Sequence, residues 1–240
     1  MIDIEDFVRK QIALYLAQDI RGGDRPRPGR GKEGKLTCGP YLLISREKGA
    51  GGSAVAELAG KRLGWQVANS ELVDAIAKKA NVRRELIESL DERDQGAIQN
   101  IVNQLLRPQS IRKSEYLAHL REVFLTLGHQ GNVVIVGRGA QYVLPSHFGL
   151  RVRMVAPVEV RVRRIAKREN VSLEKARNEV KRSDRERARL ALQDYQKVSA
   201  DPSNHDLTIN TAELSVADAT ELVVIALERK LGVQLKGKRS

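Results

Sequence analysis

A short apolar run, Tyr41-Leu42-Leu43-Ile44, leads into the cluster Gly49-Ala50-Gly51-Gly52-Ser53 and then into a stretch of helical periodicity, and no other feature constrains the fold as strongly. Four apolar residues bounded by glycines read as a buried parallel strand, because a sheet covered on both faces needs no polar alternation. Ala54, Val55, Leu58, Ala59 and Leu63 set one apolar helix face over residues 53 to 63, with Gly64 as its C-terminal stop. In the turn between them, glycines remove the Cβ atoms that would keep an anion away from the backbone. Consecutive N–H groups and a helix N-terminus then converge on one point, which suits phosphate. A glycine-rich strand-to-helix turn with no ligand looks the same in isolation, so the rest of the chain has to decide.

Further strands are expected at Val133 to Val136, at Leu150 to Ala156 (ended by Pro157) and at Leu207 to Asn210. Helical patterns cover residues 70 to 80, 83 to 107, 113 to 129, 158 to 169, 172 to 192 and 215 to 231. Strands alternating with helices predict an α/β domain with a parallel sheet. Ahead of it, residues 4 to 18 carry Ile4, Phe7, Val8, Ile12, Tyr15 and Leu16 at helical spacing, a segment suited to docking on the body or on a second subunit. Residues 20 to 36 are rich in Gly, Pro and basic side chains, a composition that builds no core. The expected organisation is an amphipathic helix at 1–19, a basic linker at 20–38 and a catalytic domain at 39–240.

The 240-residue chain has a formal charge of +12, which favours a polyanionic partner: nucleotide phosphates, nucleic acid or an acidic membrane surface. Aromatic residues make up only 4%, too few for the stacking platforms of single-strand binders, so nucleic acid is not the favoured partner. Cys38 is the only cysteine, which excludes an intrachain disulfide and a thiolate-built zinc site. With no secretory signal and no apolar run of spanning length, the expected location is the cytoplasm, with no membrane partner.

Laid on the P-loop pattern G-x-x-x-x-G-K-[ST], Gly51-Gly52-Ser53 takes the last three places, with Arg46 at the first glycine and Gly52 where the lysine belongs. The segment Ile44-Ser45-Arg46-Glu47-Lys48-Gly49-Ala50-Gly51-Gly52 resembles the I-S-R-E-x-G-x-G-G opening of the cytidylate kinase-like family, in which that lysine is characteristically absent. The resemblance continues through Val134-Ile135-Val136-Gly137-Arg138-Gly139-Ala140. It ends in Asp201-Pro202-Ser203-Asn204-His205-Asp206-Leu207-Thr208-Ile209-Asn210-Thr211, similar to D-P-S-x-Y-D-L-x-I-N-T. Asn69-Ser70-Glu71-Leu72-Val73 resembles the D-R-E-L-I of relatives.

This resemblance implies a P-loop NTPase-type parallel sheet flanked by helices, with helical acceptor-binding and lid segments. It also implies phosphoryl transfer from ATP, with Mg²⁺, to a nucleoside monophosphate such as CMP or dCMP. Gly49, Ala50, Gly51, Gly52 and Ser53 would hold the donor phosphates, Ser53 would reach the metal, and Arg46 and Lys48 are the cations nearby. Arg138 would bind the acceptor phosphate, and Glu71 would lie on the acceptor side. Among the crowded arginines of residues 161 to 189, Arg182, Asp184, Arg185 and Arg189 match lid helices whose arginines clamp the transferring group. Gly139 stands where true cytidylate kinases carry an aspartate. Two alternatives stay open: a kinase of another small acceptor, and a non-catalytic nucleotide-binding module whose basic linker touches nucleic acid.

Overall fold

The computed structural model describes residues 38–78, 95–96, 98 and 111–235. The expected N-terminal helix lies outside the described residues, as do the linker up to residue 37 and most of the helical stretch at 83–107.

Five strands, β1 (Tyr41–Arg46), β2 (Gln66–Ala68), β3 (Val133–Val136), β4 (Gly149–Val155) and β5 (Leu207–Asn210), form one parallel sheet in the order β2-β3-β1-β4-β5. Tyr41 pairs with Gly149 and Arg46 with Met154 across β1 and β4, and Val152 to Val155 run beside Leu207 to Asn210. The first four residues of β1 are fully buried, as their unbroken apolar run requires of a central strand. The C-terminal end of β1 therefore opens between β3 and β4, the place where parallel α/β sheets bind ligands.

The described helices are α1 (Gly52–Leu63), α2 (Ser70–Lys78), α3 (Ile111–Gln130), α4 (Val158–Glu169), α5 (Leu173–Tyr195) and α6 (Val216–Leu231). Two compact units are distinguished. In the larger, residues 41–67 and 134–235, α1 and α6 cover one sheet face. Val55, Ala59, Leu63, Val223 and Leu227 meet Leu42, Ile44, Val152 and Met154 there. Burial contributes roughly 1.5–3 kcal/mol for each large aliphatic side chain. A separate cluster of Val162, Ile165, Ala176 and Val180 joins α4 to α5. In the smaller unit, residues 68–133 with 38–40, the Tyr116 hydroxyl donates to Asp74 Oδ1 at 2.8 Å, tying α3 to α2. Cys38 is buried there, and burial pushes its thiol up to about 12.

The caps follow local chemistry. Gly64 closes α1 in the left-handed region at φ 68°, with its N–H turned back to the last carbonyls. Ser172 caps α5, and Ser215 with Asp218 forms a reciprocal capping box on α6. Strand β2 has no counterpart in the sequence reading, because three residues are too few to display a period.

Candidate active site

The turn between β1 and α1 is held from three sides. Its backbone begins with Glu47 N–H donating to the Met154 carbonyl at 3.0 Å and folds back through Ala50 N–H to Glu47 O at 3.1 Å. Gly49 (φ +85°) lies so close to α4 that a Cβ would stand 2.9 Å from the Arg161 carbonyl oxygen. Buried Ala50 offers its carbonyl to the Thr211 hydroxyl at 2.9 Å, and Arg164 donates to that same hydroxyl oxygen at 3.1 Å. Gly51 (φ +78°) precedes α1, and nothing comes within 4 Å of the place its Cβ would take. Its backbone therefore faces open space at a helix N-terminus, where an anion fits. Ser53 is exposed in the first turn of α1.

Arg46 fills the space beside the position where a P-loop lysine would stand. A Cβ on buried Gly52 would meet Arg46 Cβ at 2.7 Å and Met154 Cγ at 3.2 Å, and one on Gly137 would meet Arg46 Nη1 at 2.0 Å. The arginine side chain thus runs from Gly52 to Gly137 over ground that only glycine leaves clear. Its own carbonyl accepts from Arg187 Nη1 at 2.9 Å.

Arg161, almost fully buried, links the surrounding elements. It donates to Ala156 O (2.8 Å), to Lys48 O (3.3 Å) and to Asp184 Oδ2 (2.7 Å), and pairs with Glu47 Oε2 at 3.3 Å. Asp184 therefore sits at the turn, with its Oδ1 buried and unpartnered among the described residues. Arg187 lies on the same inward face of α5 as Val180, Ser183, Asp184 and Ala191. Burial lowers its pKa, with repulsion from Arg138 and Arg161 adding to the effect and Asp184 and Glu186 opposing it. Guanidinium groups gathered this closely favour an anion between them.

Other expected cations are placed elsewhere. Lys48 pairs with Glu179 at 3.2 Å and with Glu169 at 3.6 Å. Arg182 is held between Glu179 at 2.6 Å and Glu186 at 2.7 Å on the exposed side of α5. Arg185 and Arg189 are exposed as well; each is two residues from Arg187, so the helix turns them to the far side. Of the four lid residues expected, the structure brings Asp184 to the turn and adds Arg187 and Arg161, which the sequence reading did not single out. The helical period would have found them, since both fall in step with buried neighbours on their helices.

Arg138 follows β3 within a left-handed run, Gly137 (φ 79°), Arg138 (φ 56°) and Gly139 (φ 84°). In the smaller unit, Glu71 is exposed in the first turn of α2, which Asn69 caps by accepting from Leu72 N–H at 2.8 Å. His205 is buried, with Nε2 3.0 Å from the Ser45 hydroxyl and Nδ1 3.3 Å from the Asp201 carbonyl. Burial, then Arg153, lowers its pKa to about 4, so the ring is neutral at pH 7. Among the described residues, no group of three or more acidic, histidine or cysteine side chains is placed to hold a metal, and no helix is long and apolar enough to cross a membrane.

Residues 42–213 match the model of the cytidylate kinase-like family. A cytidylate kinase of Sulfolobus acidocaldarius is 26% identical over 190 residues, covering 79% of this chain and 94% of its own. A cytidylate kinase of Natronomonas pharaonis is 29% identical over 177 residues, covering 72% and 82%. The crystal structure of an uncharacterized protein from Eubacterium ventriosum, 20% identical, covers 78% of this chain and 98% of its own with a TM-score of 0.55, a likeness of fold. With the phosphate turn, the Gly-Arg-Gly segment and the strand at Leu207 all inside the matched span and in order, this P-loop-type α/β chain belongs to the cytidylate kinase-like family.

Proposed function

We propose that the chain is an ATP- and Mg²⁺-dependent phosphotransferase that phosphorylates a nucleoside monophosphate, CMP or dCMP being the first choice. The observation that carries this reading is the path of Arg46, which spans from Gly52 in the phosphate turn to Gly137 beside Arg138. A donor phosphate on the turn and an acceptor phosphate on Arg138 would then share one arginine between them. The backbone N–H groups of residues 49–53 bind the donor, and Arg46 supplies the charge that a P-loop lysine supplies elsewhere. Arg138 and Arg187 orient the acceptor, and Asp184 fixes Arg161, which braces the turn from behind. The exposed Ser53 hydroxyl would hold Mg²⁺, which would neutralise phosphate charge. An acceptor phosphate oxygen is already anionic, so no general base is required, and catalysis reduces to positioning and charge neutralisation. Glu71 is assigned to the acceptor nucleoside on resemblance alone.

The test is ADP formation by the purified chain with MgATP, comparing CMP, dCMP, UMP, AMP and no acceptor. Stimulation by CMP or dCMP supports the reading. Nucleotide binding without stimulation by any monophosphate overturns it in favour of another acceptor or a nucleotide-binding module. Arg138→Ala is expected to lower kcat/KM for the acceptor by about 10- to 150-fold, the range for loss of a charge-assisted phosphate contact, while ATP affinity holds within about twofold. Unchanged acceptor kinetics would remove Arg138 from the site.

A further inference from the structure

We propose that Tyr195, the last residue of α5, is a positioning residue for Arg138, and that α5 sets the aim of the acceptor-phosphate arginine through it. This rests on the reading of Arg138 as the acceptor ligand.

The Tyr195 hydroxyl donates to the Arg138 carbonyl at 2.7 Å. Its ring lies against Gly139, so that a Cβ there would fall 2.2 Å from Tyr195 Cε2 and 2.6 Å from Cζ. The ring also packs on Tyr142, with centroids 5.0 Å apart and planes inclined by 41°. Tyr142 belongs to the short 3₁₀ turn, Ala140–Tyr142, that follows Gly139. Tyr195 therefore fixes both ends of the Arg138 peptide. Three successive left-handed residues form a conformation that a free loop seldom keeps, least of all with an arginine in the middle. A hydrogen bond and a ring pressed on Gly139 hold it.

The same helix carries Arg187, which donates to the Arg46 carbonyl, and Asp184, which receives Arg161. One helix thus touches the end of β1 through Arg187, reaches the donor turn through Asp184 and Arg161, and touches the acceptor turn at its own end. Glycine at 139 follows from this packing: the space where a side chain would start is filled by the tyrosine ring.

The experiment compares wild type with Tyr195→Phe, Tyr195→Ala, Gly139→Ala and the double variant Gly139→Ala/Tyr195→Ala. Steady-state kinetics are read for CMP and ATP, and amide hydrogen exchange for residues 137–140 and 49–53. Tyr195→Phe is expected to raise acceptor KM about 3- to 10-fold, the worth of one net hydrogen bond, with ATP KM changed less than twofold. Exchange at 137–140 should quicken by a similar factor while exchange at 49–53 stays unchanged. Gly139→Ala should lose more in the wild-type background than in Tyr195→Ala, because removing the ring makes room for the added methyl. Additive effects, or equal rises in both KM values, would overturn the proposal. If the wild type phosphorylates no monophosphate, the proposed function fails, and exchange with the Gly139/Tyr195 coupling still decides the role of Tyr195. Unchanged exchange at 137–140 in Tyr195→Phe and Tyr195→Ala would refute it.

Discussion

Gly49 and Gly51 sit two residues apart with nearly the same φ, +85° and +78°, but in opposite surroundings, and this pair separates backbone strain from close packing. An alanine at either position enters the left-handed region, which costs about 1–2 kcal/mol. At Gly51 the methyl meets nothing within 4 Å, so the cost ends there. At Gly49 it would lie 2.9 Å from the Arg161 carbonyl oxygen, 3.0 Å from Arg161 Cβ and 3.1 Å from its Cα. The neighbour is backbone of α4 and cannot swing aside, so a further cost of about 1–3 kcal/mol is expected, as for overpacked cores. Urea unfolding of Gly49→Ala and Gly51→Ala measures the difference. With a slope of about 2 kcal/mol/M, the Gly49→Ala midpoint should fall about 0.5–1.5 M below that of Gly51→Ala. Equal midpoints would show that α4 yields to the methyl and that the packing of the turn on Arg161 is loose. Nucleotide affinity should run the other way relative to stability: Gly51→Ala, the milder change for folding, places a methyl on the open side of the turn and should still weaken MgATP binding.

Two further predictions concern what holds the turn and the strand beside it. His205 has a folded pKa near 4 against about 6.5 unfolded, so the unfolded chain binds the extra proton between these values; stability is complete above about pH 6.5 and falls as the pH drops toward 4, by up to about 3 kcal/mol. Urea midpoints at pH 7.5 and 5.0 should show about 2 kcal/mol of that loss in wild type and much less in His205→Gln, and an equal drop in both would refute the assignment. Thr211→Val leaves the Ala50 carbonyl without its hydroxyl donor and Arg164 without one acceptor, and should cost about 1–3 kcal/mol and raise ATP KM; unchanged unfolding would show the contact to be dispensable.

The sheet and its phosphate turn were legible because their signals are local. Four buried residues in a row, a glycine cluster and a helix stopped by Gly64 all fall within residues 41–64 and appear where they were expected, but the helix face is turned slightly. Val55, Ala59 and Leu63 are buried as expected, while Ala54 and Leu58 are exposed and Ala56 and Gly60 take their place against the sheet. Strand β2 was not legible, since an edge strand of three residues is made by its neighbour rather than by its own pattern. The site was harder to read. Arginine is abundant along residues 161–189, and local motif matching pointed to Arg182, Arg185 and Arg189, which the helix turns outward. Helical phase alone sets Arg161 and Arg187 among the inward positions of their helices. What it does not encode is their partners, the carbonyls of Lys48 and Arg46 at the β1 end and its turn, more than a hundred residues earlier. Lys48 is a similar case: its place in the turn suggests a phosphate ligand, and its partners in the structure, Glu169 and Glu179, come from α4 and α5, which no local signal reveals.

Gly52 and Gly137 give the departure from the usual phosphate-loop pattern a steric reason, since both leave room for the Arg46 side chain. A lysine at 52 would need the space held by the Arg46 stem and by Met154, and any side chain at 137 would need the space held by the Arg46 guanidinium. The two glycines and the arginine are therefore one solution, reached by moving the cation from the start of the helix to the end of the strand. An arginine placed there differs from a lysine in one physical respect that matters for transfer: its planar fork can address oxygens on two phosphates at once, whereas an ammonium acts as a point charge. The cation that replaces the lysine also reaches the acceptor turn, and the helix that buttresses its carbonyl through Arg187 braces Arg138 through Tyr195. On the proposed reading, donor and acceptor would be held relative to each other by the same few side chains, which is the condition for in-line transfer when positioning supplies most of the catalysis.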